Sequence, residues 1–171
     1  MSQLDVSSLV GIPWKHETAD CYTLMCQFYE KFFNLTLTNY ARPPMWFEKD
    51  PSLDLIRNNF RAEGFVPFIG HRKDYQVGDA FLIALGSSTI NHCAAYLGNG
   101  MMLHSPFRRK SEVVIYAGHY LDKTLIVARH PSIIPEKNRT SIDVFDMLSA
   151  SKKAQFQDVY NRNVRAGGFR P

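Results

Sequence analysis

The segment after Asp20 places apolar side chains at Cys21, Leu24, Met25, Phe28, Tyr29, Phe32 and Phe33, with Thr23, Gln27, Glu30 and Lys31 on the remaining positions. This i, i+3, i+4, i+7 spacing predicts a helix with one inward stripe. Asp20 is suited to cap it, because its carboxylate can accept from an unpaired amide of the first turn. A second, shorter helix is predicted from Leu53, Leu55, Ile56, Asn59 and Phe60, starting near Ser52 and stopping at Gly64. Between the two, Ala41-Arg42-Pro43-Pro44-Met45-Trp46 reads as a loop at the edge of a cleft, since two prolines forbid a regular element.

The pattern then changes to short apolar runs of strand length. Strands are predicted at Phe65–Ile69, Asp79–Leu85, residues 90–97 and 101–105, Glu112–Tyr116 and Thr124–Arg129. Gly98-Asn99-Gly100 supplies the positive φ values that a tight hairpin turn needs. Helices followed by strands indicate an α+β domain, with the first helix packed on a largely antiparallel sheet.

This layout brings chemistry into the picture. Cys21 falls in the first helical turn, where the helix end carries roughly half a positive charge and favours a thiolate. It also opens the inward stripe, so its sulfur should face the sheet. If Leu97 and Met101 flank the hairpin turn, His92 and His104 lie nearly opposite each other, close enough to share a hydrogen bond. A thiolate, a base and a group that orients the base are the parts of a cysteine nucleophile. Cys21, His92 and His104 are the candidates for these roles.

These same residues carry a family resemblance. Asp20-Cys21 opening a helix, Gly78-Asp79 opening a strand, then His92, Tyr96-Leu97-Gly98-Asn99-Gly100 and His104 together resemble the NlpC-like cell-wall cysteine peptidases, which have a papain-like core. Pro13-Trp14 shortly before Asp20-Cys21, and Met102-Leu103-His104 after the turn, are similar to the tail-assembly subgroup of long-tailed bacteriophages. The resemblance covers roughly residues 11 to 130. It implies Cys21 as nucleophile, His92 as base and His104 as the orienting residue. It also implies hydrolysis of a peptide bond in peptidoglycan, usually the γ-D-glutamyl to diamino-acid link. Many cell-wall members carry a Tyr about nine residues before the cysteine. Ile12 stands near that place here, so the Cys21 amide is the expected oxyanion donor.

Arg108-Arg109-Lys110 follows His104 closely and is placed at the cleft mouth, where guanidinium groups can bind the carboxylates of a stem peptide through paired donors. Trp14 and Asp20, from the motif around the cysteine, join Arg108 and Arg109 as candidate substrate contacts. A tail-tip structural subunit with an idle site, and a protease or amide-forming enzyme acting on a tail protein, remain alternative readings.

Composition narrows the field further. With 171 residues, 45% of them hydrophobic and 13% aromatic, the chain is long enough to bury a sizeable core and does not read as disordered. A net charge of +4 is modest and no nucleic-acid-binding signature accompanies it. No run approaches the about 18 apolar residues that span a bilayer. Met1 to Val10 lacks a basic signal region, so synthesis in the bacterial host cytoplasm is expected, with incorporation into the virion tail and action in the periplasm following from the resemblance.

Three cysteines make no disulfide framework. Cys26, at the margin of the helix stripe, and Cys93, expected on the strand face opposite His92, read as small packing residues. A zinc site built from Cys21, Cys26, His92 and His104 is disfavoured by its spacing, and no cofactor or metal is expected.

Residues 136–171 differ from the rest. Seven basic and four acidic residues give this segment +3 of the chain's net charge. Thr140 or Ser141 can cap a helix using Ile142, Phe145 and Leu148. The expected organisation is thus a peptidase unit over residues 1–135 and a basic extension over 136–171 that docks onto other tail-tip proteins.

Overall fold

The computed structural model describes residues 4–133; the expected extension and its helix lie outside the described residues. Four helices, α1 (Cys21–Phe33), α2 (Trp46–Lys49), α3 (Leu55–Ala62) and α4 (His119–Lys123), accompany six strands: β1 (Val66–Pro67), β2 (Ala80–Ile83), β3 (His92–Gly98), β4 (Met101–His104), β5 (Glu112–Ile115) and β6 (Thr124–Arg129). The strands form one sheet in the order β1-β6-β2-β3-β4-β5, and every neighbouring pair is antiparallel. The expected α+β arrangement is what the chain adopts.

Each sheet face is built from alternate residues. Ala80, Leu82, Cys93, Ala95, Leu97, Leu103 and Ala128 share a core cluster with Leu24, Met25, Phe28 and Tyr29 of α1. Phe81, Ile83, Ala94, Tyr96, Met102, Tyr116 and Val127 form the second cluster, with Tyr120 and Leu121 of α4 packed against it. The period of two along β2 and β3 produces this division.

Helix α1 occupies the predicted residues. Its stripe buries Leu24, Met25, Phe28 and Tyr29, and it ends at Asn34 in the left-handed region. The second helix is shorter than expected: Pro51–Leu53 form a 3-10 turn, and Asp54 at φ 39° separates it from α3. The loop at 41–45 is irregular as expected, but Trp46 opens α2 and is buried in the α1 cluster instead of edging a cleft. The expected strand over Phe65–Ile69 contracts to two residues at the sheet edge, because Pro67 has no N–H to continue the ladder.

The hairpin turn is tighter than predicted. Gly98 pairs with Met101 and a bulge displaces Leu97, leaving Asn99 (φ 53°) and Gly100 (φ 70°) as the two turn residues. Two consecutive positive φ values are those of a type I′ turn. Gly78, which precedes β2, has φ 95°, and a Cβ there would come within 2.8 Å of the Phe33 ring. Its carbonyl accepts from Tyr29 Oη at 2.9 Å, tying the start of β2 to α1.

Candidate active site

The mouth of α1 is held by Asp20. Its Oδ1 accepts from the amides of Tyr22 at 3.1 Å and Thr23 at 3.0 Å, while its own amide donates to Thr23 Oγ1 at 2.7 Å. This is a reciprocal capping box with Thr in the place usually taken by Glu or Gln. The carboxylate takes the amides of the second and third helical residues and leaves that of Cys21 to whatever approaches the thiol.

Asp20 has further partners that sequence reading missed. Arg42 is 3% exposed, and its Nη2 lies 2.9 Å from Asp20 Oδ2 and 3.1 Å from Oδ1. The Arg42 guanidinium also lies over the Tyr22 ring, donates to Asn39 Oδ1 at 3.1 Å and reaches the Tyr40 carbonyl. The Glu17 amide donates to Asp20 Oδ2 at 2.9 Å, and Glu17 Oε1 accepts from the Arg42 amide at 2.7 Å. Burial alone would raise the Asp20 carboxyl, but the Thr23 amide, the Arg42 guanidinium and the Glu17 amide hold it below the usual carboxylate range. Asp20, expected to touch substrate, is therefore buried and engaged on both oxygens by its own chain.

Cys21 is half-buried at this mouth. Its thiol is held well below the ordinary range, first by a hydrogen bond from the Cys93 thiol, then by a hydrogen bond from His92 and by the His92 charge, against the opposing effects of burial and the Asp20 carboxylate. Cys93 is pushed the other way by burial and by Cys21 itself. Burial likewise raises Cys26 to about 11. Of the three cysteines, Cys21 is thus shifted toward its anion and the other two away from theirs.

Cys93 is fully buried in the α1-facing cluster, on the strand parity opposite His92, as expected. The same parity turns its thiol toward Cys21, so it is more than a small packing residue.

His92 is the first residue of β3, at the rim of the sheet. Across the hairpin, His104 pairs with Ala94, so the two histidines stand on a diagonal one step wider than a direct pair. Their rings meet nevertheless, with His92 Nε2 3.0 Å from His104 Nδ1. With Nε2 turned to His104, Nδ1 is the His92 nitrogen left for the thiol. His104 is fully buried beneath the Tyr120 ring, with centroids 4.9 Å apart. Burial, with the charges of His92 and Arg109, pushes His104 down to about 3, so its ring stays neutral near neutral pH.

Three of the four expected substrate contacts line one open cleft of about 580 Å³ between Gly11, Pro13 and Trp14 on one side and residues 108–112 on the other: Trp14, Arg108 and Arg109, with Lys110 and Glu112 beside them. The Trp14 ring meets Phe107 edge-on at 4.8 Å, and Arg108 lies over the same Phe107. An isolated bridge between Pro13 and Lys110 closes the two segments on each other. Among the described residues, no cluster of three or more His, Cys, Asp or Glu side chains is placed to hold a metal ion, and no helix is long and apolar enough to cross a membrane.

An N-terminal helix that carries a cysteine and packs on an antiparallel sheet, with His92 at the sheet rim beside the thiol, is the arrangement of the papain-like α+β folds. Within that class the chain belongs to the NlpC/P60 family, whose profile matches residues 11–130. The chain is 31% identical over 127 residues to the tail tip assembly protein K of Escherichia phage lambda, covering 73% of this chain and 60% of that protein. It is 22% identical over 114 residues to tail tip assembly protein K of Escherichia phage N15, covering 67% of this chain and 46% of that protein. The chain thus spans about half to three fifths of the length of these relatives.

Proposed function

We propose that this chain is a cysteine peptidase that cuts a peptide bond of bacterial peptidoglycan, most specifically the γ-D-glutamyl to diamino-acid link, and that it works as a component of a phage tail tip. The observation that carries this reading is the 3.0 Å contact between the rings of His92 and His104 beside a thiol drawn toward its anion. The family and the names of the two relatives support the setting.

In this mechanism the Cys21 thiolate attacks the scissile carbonyl carbon, and the resulting oxyanion is met by the Cys21 amide at the helix mouth. His92, as imidazolium, gives its Nδ1 proton to the leaving amine, and a thioester to Cys21 remains. Water then enters, His92 takes one of its protons, and the hydroxide displaces sulfur to release the acid. His104 accepts from His92 Nε2–H throughout and fixes the ring. Arg108 and Arg109 meet free carboxylates of the stem peptide, and Trp14 forms a wall of the same cleft.

Residues 1–135 would form the peptidase unit and the basic segment 136–171 would dock it onto another tail-tip protein. On this reading the chain is made in the host cytoplasm, carried in the virion tail, and acts in the periplasm. Deleting 136–171 should spare folding and abolish incorporation into particles; normal incorporation would refute docking.

Purified protein should release soluble muropeptides from isolated cell walls, and Cys21→Ala should lose that release while staying folded. The word "assembly" in the relatives' names favours a second reading, a structural subunit with an idle site. Wild-type protein inert on walls, together with Cys21→Ala particles that assemble and infect normally, would establish it instead. A tail protein left uncut in the mutant would point to processing.

A further inference from the structure

His104 has a second ring nitrogen, and its surroundings are unusual. Nε2 is fully buried and has no hydrogen-bond partner. Leaving such a group unpaired away from water is unfavourable. One carboxylate faces it. Glu112 is paired directly with His104 across β4 and β5, and its Oε1 lies 3.5 Å from Nε2. That is beyond hydrogen-bond length, yet within the reach of a small side-chain rotation. The other carboxylate oxygen, Oε2, lies 3.5 Å from Arg109 Nη2. Tyr120 covers the ring and His92 occupies Nδ1.

Two tautomers of His104 compete. With its proton on Nδ1, His104 would donate to His92 Nε2. His92 would then carry its own proton on Nδ1 and could not accept one from Cys21. A bare Nε2 lone pair would also point at the Glu112 carboxylate, which only accepts. With the proton on Nε2, His104 accepts from His92, the base nitrogen is free, and Nε2–H points at an anion.

We infer that Glu112 is a positioning residue, set opposite His104 by strand register, whose carboxylate selects the Nε2–H tautomer of His104 and thereby leaves His92 Nδ1 free to act as base. The exposed Arg109 guanidinium lies 3.5 Å from the outer oxygen and partly balances its charge. The functional consequence rests on the peptidase reading; the tautomer itself does not.

Nitrogen NMR of the full chain labelled with 15N-histidine, at neutral pH, reads the tautomer directly, with His→Gln variants assigning the six histidines. Expected is a pyrrole-type Nε2 and a pyridine-type Nδ1 for His104. In Glu112→Leu the two signals should shift toward a mixture, and the rate at which Cys21 is alkylated should fall by about tenfold, the scale seen for partners that orient an imidazole. Glu112→Gln, whose amide oxygen still accepts, should restore both. A pyridine-type Nε2 in the wild type, or signals indifferent to Glu112→Leu, would overturn the inference. Failure to cleave cell walls would leave these readouts intact and count only against the peptidase reading.

Discussion

The two ends of the candidate site are built in opposite ways. At the mouth of α1, Asp20 is gripped by two helix amides, the Glu17 amide and the Arg42 guanidinium, and Arg42 is itself held by Asn39, Tyr40 and the Tyr22 ring. On the hairpin, two buried rings share one hydrogen bond, and the outer ring ends in a nitrogen with no partner at bonding distance. The thiol's end is over-determined and the imidazole end is not. A nucleophile must be held at a fixed approach to the carbonyl, whereas a proton carrier must change its bonding in every cycle. The first end suits a rigid lock and the second a relay whose bonds can be exchanged.

Breaking the relay should produce the largest loss. His92→Gln removes the proton acceptor, and wall hydrolysis should fall by roughly 10²–10⁴-fold, the range of a positioned general base. The urea midpoint should fall less than in a lock variant: His92 is buried, but the Gln amide can still donate to His104 Nδ1. A large stability loss with little loss of turnover would invert the contrast between the two ends.

Breaking the lock should do the reverse. Arg42→Met leaves the Asp20 carboxylate buried without its cation and should cost about 3–5 kcal/mol in urea unfolding. The double variant Asp20→Asn/Arg42→Met should recover part of that cost, since no charge is then stranded. No recovery would mean that Arg42 acts by packing alone.

Acid sharpens the comparison, since the two ends titrate in different windows. His104 is lowered in the folded state from its ordinary 6.5 to about 3. The unfolded chain therefore binds a proton that the native ring refuses, and stability falls as pH drops from about 6.5 toward about 3. Asp20 is lowered as well, so its contribution is complete above the ordinary aspartate value of about 3.9 and is lost as pH falls through the native value. His104→Gln should flatten the upper part of the acid curve and Asp20→Asn the lower part. Identical curves for the two variants would show that neither window belongs to its assigned group.

The smallest effect is expected at the cleft. Arg109 is exposed, and its contact to Glu112 is long, so Arg109→Gln should change stability by at most about 0.5 kcal/mol. Its signature should be a raised KM for substrates bearing a free carboxylate. An unchanged KM would remove Arg109 from the substrate contacts.

What could be read from the sequence was local in origin. The α1 boundaries follow from Asp20 and from the 3.6-residue period of Leu24, Met25, Phe28 and Tyr29. The meeting of His92 with His104 follows from a period of two and from a hairpin register that the expected Leu97–Met101 turn shares with the tighter, bulged one. The features that escaped reading depend on contacts distant along the chain. Arg42 lies 22 residues beyond Asp20 in a proline-bearing loop, and nothing local marks it as the carboxylate's partner.

Glu112 reaches His104 only through the β4 and β5 register, which the intervening loop sets. Strand parity placed Cys93 correctly on the face opposite His92, but only the docking of α1 shows that this face carries Cys21. The five-residue α4, opening at Gly118 with φ 54° and no side-chain cap, is too short to display a period. The sequence groups Trp46 with the proline-bearing loop, but a proline restricts only its own position and its immediate neighbours, and the chain turns into α2 two residues after Pro44.

The most direct test of a thiolate poised at the helix mouth is iodoacetamide labelling followed by peptide mapping across a pH series. Near about pH 6, where an ordinary thiol of pKa about 8.5 is almost wholly protonated, Cys21 should be alkylated while Cys26 and Cys93 stay unlabelled, and His92→Gln should move the Cys21 profile to higher pH. Labelling of Cys21 that rises only near the ordinary thiol value, unaltered by His92→Gln, would contradict it.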